Sequence, residues 1–144
     1  MRVRKAGAAL LLLCACARGV PASSTTDVTF QTSRGRLVIH AEIARTEAER
    51  ERGLMGRTSL ASDAGMIFLW QDVAARDFYM KDTLIPLDLI SIRTGRVVGV
   101  ATMVPCRTPT CPITKTPATD AVLEVAAGTA ERAGITAGAL VSWK

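Results

Sequence analysis

The chain has 144 residues, 49% of them hydrophobic and 22% charged, so it is long enough for one packed domain and too apolar for wholesale disorder. The formal net charge is +5, but three basic residues stand in an N-terminal segment that we expect to be removed, which leaves 15 basic residues against 13 acidic ones. Because that balance is nearly neutral, we expect no nucleic-acid partner, and no motif predicts a cofactor.

The first 16 residues resemble an export signal with a site for lipid attachment. Basic residues precede an uncharged apolar run over residues 6–17, which is shorter than the roughly 18 residues that a transmembrane helix needs. Leu13-Cys14-Ala15-Cys16 is similar to a bacterial lipobox, in which the final cysteine becomes the lipidated N-terminus. Ordinary signal cleavage after Ala17 and a buried N-terminal helix are the alternatives.

The segment after Cys16 predicts where the protein lies. No Asp follows Cys16, so we expect an outer-membrane lipoprotein that faces the periplasm if the host has two membranes; a soluble periplasmic or secreted protein is the alternative. Residues 17–29, rich in small residues, are predicted to be a flexible tether, and residues 30–144 a single domain. The expected partners are the membrane, through the anchor, and an unknown envelope protein or ligand.

Short apolar runs alternate with turn signals from Val28 onward, which predicts a mostly antiparallel β domain. We predict strands over residues 28–32, 36–44, 66–70, 77–81, 87–92, 96–104, 122–126 and 139–143. Thr46 and Glu49 have the spacing of a capping box, and Gly53 ends the short helix that follows. A second short helix is predicted over residues 129–133, before Gly134. The predicted fold is α+β, dominated by antiparallel β structure as a small barrel or sandwich with two short helices.

Several motifs carry a resemblance to a known family. They are Glu49-Arg50 with Gly53-Leu54-Met55 and Arg57, Gly65-Met66-Ile67-Phe68, the run from Phe78 to Asp88, Pro105-Cys106 with Cys111-Pro112, Leu123-Glu124, Ala127-Gly128 and Gly134-Ile135. In order and spacing, from about Leu37 to Val141, they resemble the domain of unknown function 192 family, a group of small, often exported bacterial and archaeal proteins. The resemblance implies a compact mixed fold dominated by β structure, and it brings no catalytic residue.

Cys106 and Cys111 are the cysteine pair of the predicted domain. Export would place both in an oxidising compartment, where a structural disulfide is the expected state. A redox pair is an alternative, although such pairs usually have two intervening residues and this one has four. A metal site is the other alternative, and we do not expect one because His40 is the only histidine.

Lys81, Asp82 and Asp88 are the first group of candidate ligand-binding residues. If strands 77–81 and 87–92 pair, Lys81 and Asp88 face each other at the mouth of the hairpin. A structural ion pair, a ligand pocket and a catalytic site are the three interpretations. Because Asp88 stands between Leu87 and Leu89, we expect its carboxylate to be buried and to accept backbone hydrogen bonds.

Arg50 and Arg57 are the second group of candidate ligand-binding residues. They flank Gly53-Leu54-Met55, next to the first predicted helix. One interpretation is a binding role, in which the glycine lets the backbone approach another element closely. The other is an ordinary solvated helix face.

The leading hypothesis for function is a non-enzymatic envelope module that binds an envelope partner or small ligand. One alternative is an enzyme that acts on envelope material through the Lys81/Asp88 region, and another is a thiol oxidoreductase that uses Cys106 and Cys111. The sequence has neither the Gly-x-Ser-x-Gly motif of the hydrolases nor a phosphate-binding glycine loop.

The lipid anchor leads to the first testable prediction. The mature protein should begin at a lipidated Cys16, and Cys16→Ser should release or mislocalise the protein because the acyl chains supply its membrane affinity. Intact-mass analysis of the mature protein measures this directly. An unlipidated chain that begins at Arg18 or later would contradict the prediction.

Overall fold

The computed structural model describes residues 24–144, so the predicted signal segment and Cys16 lie outside the described residues. This part of the chain forms nine strands and two short helices. The strands are β1 (Thr25–Thr32), β2 (Gly35–Ala44), β3 (Ala64–Ala74), β4 (Asp77–Phe78), β5 (Leu87–Arg93), β6 (Arg96–Met103), β7 (Thr114–Lys115), β8 (Thr119–Ala126) and β9 (Leu140–Ser142). The helices are α1 (Glu47–Arg52) and α2 (Thr129–Ala133). Within residues 24–144, no helix has the length and apolar character needed to cross a bilayer.

Seven strands close into a barrel in the order β1-β2-β3-β8-β5-β6-β9, while β4 and β7 form a separate two-stranded ribbon. The strand pairs are antiparallel except for β2 and β3, which are parallel. That parallel pair is possible because the connection between its strands is long and contains α1. The predicted fold class is confirmed, and the barrel is the correct one of the two predicted architectures.

The local turn signals were sufficient to place the hairpins. Ser33-Arg34 joins β1 to β2, and Gly35 follows with φ 112°. Thr94 and Gly95 join β5 to β6 with φ of 49° and 72°, as expected for a two-residue turn that needs positive φ at both central positions. The predicted strands 28–32 and 36–44 end at the first turn, and the predicted strands 87–92 and 96–104 end at the second.

The capping box at the start of α1 is also confirmed. The backbone N–H of Glu49 donates to Thr46 Oγ1 at 3.2 Å, and the Glu49 carboxylate accepts from the Thr46 backbone N–H at 2.9 Å. Backbone donation from Thr46 and Arg45 lowers the pKa of the Glu49 carboxyl. Gly53 then ends the helix with φ 46°.

Side-chain alternation along the strands sorts the apolar residues into two layers. The barrel interior includes Phe30, Ile39, Ile67, Ile90, Leu123 and Val125. A second layer on the outside of the barrel contains Leu54, Met66, Phe68, Met80, Leu87, Leu89, Met103 and Val122. Strand β8 contributes to both layers and is therefore buried on both faces.

The predicted hairpin between strands 77–81 and 87–92 is wrong. Strand β4 is only two residues long and pairs with β7, whereas both edges of β5 are occupied by β6 and β8. Lys81 is consequently exposed, and none of the ion pairs in residues 24–144 joins it to Asp88. Strand β1 also begins at Thr25, so residues 25–29 are strand rather than tether.

Asp88 is buried, as predicted, and its carboxylate is fully engaged. It is 2% exposed. Its Oδ1 accepts from Thr102 Oγ1 at 2.8 Å, and its Oδ2 accepts from the backbone N–H of Ala130 at 2.9 Å. Ala130 lies in the first turn of α2, whose N-cap is Gly128 and has no side chain to cap it. Asp88 therefore caps α2 from a neighbouring strand.

The role of Asp88 leads to a stability prediction. Asp88→Asn should lower the free energy of unfolding by about 1.5–3 kcal/mol, because an amide has one acceptor oxygen for two donors, of which the Ala130 N–H is buried. Lys81→Met is the comparison and should change stability by less than about 0.5 kcal/mol, since Lys81 is exposed. Denaturant titration of both variants measures the difference. Equal effects of the two substitutions would show that the Asp88 bonds are not structural.

Candidate functional site

A cleft of about 500 Å³ opens on the outside of the barrel, beside the second apolar layer. Helix α1 and the residues after it form one side, and β3 and β4 form the other. The lining residues are Glu47, Arg50, Glu51, Arg52, Gly53, Leu54, Met55, Phe68, Trp70, Arg76, Asp77, Phe78, Tyr79, Thr83 and Glu124. This volume is typical of small-molecule sites.

Three aromatic rings form a cluster along the cleft. Phe68 and Trp70 occupy successive outward positions of β3, with ring centroids 6.4 Å apart. Phe78 of β4 meets both rings edge-on, at 5.3 Å from Phe68 and 6.3 Å from Trp70. Tyr79 follows and is 45% exposed. The cluster offers an apolar surface to a ring-shaped ligand.

Two guanidinium groups lie over the indole ring of Trp70. The Cζ atom of Arg50 is 5.4 Å from the ring centroid, and that of Arg76 is 4.6 Å away. Both distances are within the range of cation–π attraction. Arg50 donates through Nη1 to the carbonyl oxygen of Leu69 at 3.2 Å and also to that of Arg45.

Arg76 is fixed by the β4–β7 ribbon. Its backbone N–H donates to Thr116 Oγ1 at 2.9 Å, and its carbonyl accepts from the Thr116 N–H at 2.9 Å. Its Nη2 donates to Asp72 Oδ1 at 2.7 Å, and this bond lowers the pKa of the Asp72 carboxyl. The Arg76 Nε is buried and has no acceptor within residues 24–144. A buried donor without an acceptor costs about 1–3 kcal/mol, and a ligand acceptor would remove that cost.

Glu124 is the buried carboxyl group of the cleft. It points outward from β8 into the second apolar layer, opposite Met66 of β3 and Leu89 of β5. It is 6% exposed, and no hydrogen bond from the described part of the chain offsets its burial. Desolvation raises the pKa of Glu124 to about 8, so the group is mostly protonated at neutral pH and can donate a hydrogen bond.

Two glycines are needed in the backbone around this group, for different reasons. A Cβ atom on Gly65 of β3 would lie 2.6 Å from the carbonyl oxygen of Glu124, so the two strands could not come this close with a larger residue. Gly53 has a φ of 46°, which a residue with a side chain rarely adopts. Both glycines belong to the motifs quoted for the family resemblance, and the backbone geometry explains them.

The structure separates the five predicted ligand-binding residues. Of them, only Arg50 lines the cleft. Arg57 donates through Nη2 to Glu42 Oε1 at 2.5 Å. Lys81 and Asp82 are exposed in a turn, where the Asp82 carbonyl accepts from the Gly56 N–H at 2.8 Å. Asp88 caps α2.

The predicted disulfide between Cys106 and Cys111 is present, with Cα atoms 5.6 Å apart. The loop that it closes leads into β7, whose partner β4 carries Phe78. Within residues 24–144 there is no group of three or more His, Cys, Asp or Glu side chains placed to hold a metal ion.

Sequence reasoning missed the principal residues of the cleft, namely Glu124, Trp70, Arg76 and Phe78. The signal for Glu124 was the same as that for Asp88, a carboxylate within an apolar run, here Val122-Leu123-Glu124-Val125. Trp70 and Arg76 carried no local signal, because their proximity depends on the bend of the chain between β3 and β4.

The raised pKa of Glu124 leads to a prediction about stability and pH. Between the unfolded pKa near 4.5 and the folded pKa of about 8, the folded protein retains a proton that the unfolded chain has lost, so the contribution of Glu124 to the free energy of unfolding falls as pH rises through this interval. In this interval the free energy of unfolding of the wild type, compared with that of Glu124→Gln, should fall by up to about 1.4 kcal/mol per pH unit. Thermal melts from pH 5 to pH 8 measure it. Glu131→Gln, at an exposed position of α2, is the control and should follow the wild type; identical slopes for wild type and Glu124→Gln would contradict the prediction.

Two solved structures are similar to this fold. One is a protein of unknown function from Novosphingobium aromaticivorans DSM 12444, with 38% sequence identity, a TM-score of 0.79, and coverage of 87% of this chain and 89% of that one. The other, described as a possible transcription regulator from Sinorhizobium meliloti 1021, has 29% identity and a TM-score of 0.79, with coverage of 87% and 98%. No protein with a curated description matches the chain.

A family match covers almost all of the residues that form the barrel and the cleft. Residues 29–143 match the DUF192 family, whose description is Uncharacterized ACR, COG1430. This agrees with the resemblance carried by the motifs around α1, β3, β4 and β8. The chain belongs to the DUF192 family.

Proposed function

We propose that this protein is a non-enzymatic binding module of the cell envelope, whose cleft takes up a small ring compound. The observation that carries the proposal is the buried carboxyl group of Glu124, which lines an aromatic cleft without a hydrogen-bond partner from the described residues. Burial of a polar group without a partner is unfavourable. A ligand that hydrogen-bonds to Glu124 while it packs on the aromatic cluster would offset this penalty.

The family motifs support a role for the cleft. Of the residues that carry the family resemblance, nine line it, namely Arg50, Gly53, Leu54, Met55, Phe68, Phe78, Tyr79, Thr83 and Glu124. They come from α1 and its following turn, from three different strands, and from the loop after β4. Motifs that are far apart in sequence therefore meet at one place.

The cleft favours binding over catalysis. None of its lining residues is Ser, Cys or His, so a nucleophile–base pair of the usual type is missing from the described site. The region of Lys81 and Asp88 gives no support to an enzyme either, because Lys81 is exposed and both Asp88 oxygens accept structural hydrogen bonds.

The location in the envelope rests on the N-terminal sequence and on the disulfide. The segment before residue 17 resembles a lipoprotein signal. A disulfide such as Cys106–Cys111 persists in an oxidising compartment and is rare in the cytosol. These two features favour export.

The test uses Glu124→Leu, which removes the polar group and keeps an apolar side chain of similar size. The variant should melt about 3–6 °C higher at pH 8, because the burial penalty is gone, yet it should lose ligand binding. The probes are two neutral ring compounds, 2-naphthamide and N-acetylglucosamine, titrated into the purified protein by calorimetry at pH 6.5.

Glu131→Gln is the control and should bind the probes as the wild type does. Saturable heat from at least one probe, lost in Glu124→Leu, is the expected result. The proposal is wrong if Glu124→Leu binds a probe with unchanged affinity.

A further inference from the structure

Two polar groups of the cleft are left without a partner by the described residues. One is the Nε–H of Arg76, which is buried. The other is the carboxyl group of Glu124. Both residues line the same cleft as Trp70 and Phe78. A single ligand could therefore complete both groups and cover the aromatic surface.

We infer that the ligand of this cleft is a ring compound with one carboxylate group, which accepts from the Nε–H of Arg76 while the ring packs against Trp70 and Phe78. The inference rests on the proposed function and adds the chemical class of the ligand. Nη2 of Arg76 already donates to Asp72, so the ligand forms one bond to Nε, and a bond from a guanidinium N–H to a carboxylate is charge-assisted and stronger than one to a neutral acceptor. Aromatic side chains favour a ring in offset or edge-on contact.

The charges of the cleft favour a ligand with a single negative charge. Arg50 is bonded to backbone carbonyls, and none of the ion pairs among the described residues includes it. The negative charges of the cleft come from Glu47 and Glu51, which are exposed on α1, and from Asp77, which pairs with Lys115 at 3.3 Å. Arg76 already pairs with Asp72 at 2.7 Å, so the second negative charge of a dianion such as a phosphate monoester would lie beside the Asp72 carboxylate and be repelled by it.

Glu124 assists a carboxylate ligand only while it is protonated. The residues opposite it on β3 and β5 are the apolar Met66 and Leu89. The other titratable or charged groups of the cleft are Glu47, Arg50, Glu51, Arg52, Arg76, Asp77 and Tyr79. Because ionised Glu124 would repel the ligand, affinity should weaken as pH rises through about 8.

Two kinds of ring acid share this chemistry, namely aromatic acids and sugar acids. Matched probes separate them. 2-Naphthoate differs from 2-naphthamide in its charge, and N-acetylmuramic acid differs from N-acetylglucosamine by a lactyl group that carries a carboxylate. Calorimetric titration of the purified protein at pH 6.5 compares the members of each pair, and 2-naphthyl phosphate serves as the dianion.

At least one acid should bind ten times more tightly than its neutral partner, and it should lose most of that advantage at pH 9. A preference for 2-naphthoate identifies an aromatic acid, and a preference for N-acetylmuramic acid identifies a sugar acid. 2-Naphthyl phosphate should bind more weakly than 2-naphthoate.

Variants of Arg76 test the source of the preference. Arg76→Gln should abolish the advantage of the acid over its neutral partner. Arg76→Lys should lose most of it as well, because it keeps the charge but lacks the Nε–H donor. Arg93→Gln is the matched control, since Arg93 is exposed at the end of β5 and does not line the cleft. Thermal melts verify that each variant is folded. The comparison of acid and neutral probes on the wild type does not depend on these variants.

The inference fails if neither acid binds more tightly than its neutral partner, if the phosphate binds most tightly, or if Arg76→Lys retains the full preference for the acid. Those results would leave the proposed function standing, provided that a neutral probe binds and Glu124→Leu abolishes its binding. Absence of binding by every probe would instead overturn both.

Discussion

The apolar outer surface of the barrel, formed where β3, β8 and β5 lie side by side, is the constraint on which the rest of the structure depends. These strands bury their inner faces in the barrel, and their outer faces carry Phe68, Val122 and Leu89. Such a surface must be covered to be removed from water. Leu54 after α1, Met80 after β4 and Met103 at the end of β6 cover it, and the cleft lies where this cover is incomplete.

Two buried carboxyl groups on neighbouring strands illustrate different solutions to the same problem. Asp88 has two donors and caps a helix, so its burial contributes to the fold. Glu124 has no donor from the described residues, and burial in the outer layer opposes its ionisation. Unpaired buried polar groups are disfavoured in stable cores and are found at functional sites. The difference between the two groups is the physical basis for proposing that the binding site lies at Glu124.

The ribbon of β4 and β7 connects the disulfide to the cleft. The loop closed by Cys106 and Cys111 runs into β7, and β7 pairs with β4. Thr116, just after β7, bonds twice to the backbone of Arg76. A two-stranded ribbon is marginal by itself, so the covalent link and the aromatic packing of Phe78 together hold this wall of the cleft in place.

The sequence by itself determined the local features of this protein. Residues that are neighbours in the chain determine the capping box at Thr46, the break between predicted strands 87–92 and 96–104, and the helix before Gly134. The apolar character of one strand determines the burial of Asp88. The alternation of apolar and polar residues along the strands was also sufficient to predict a small β-rich barrel or sandwich. Only the tertiary structure decided the pairing of β4 with β7, the parallel pair β2–β3 and the meeting of Arg76, Trp70 and Glu124. These depend on which strand edges remain free once the barrel closes, and local periodicity carries no information about that choice.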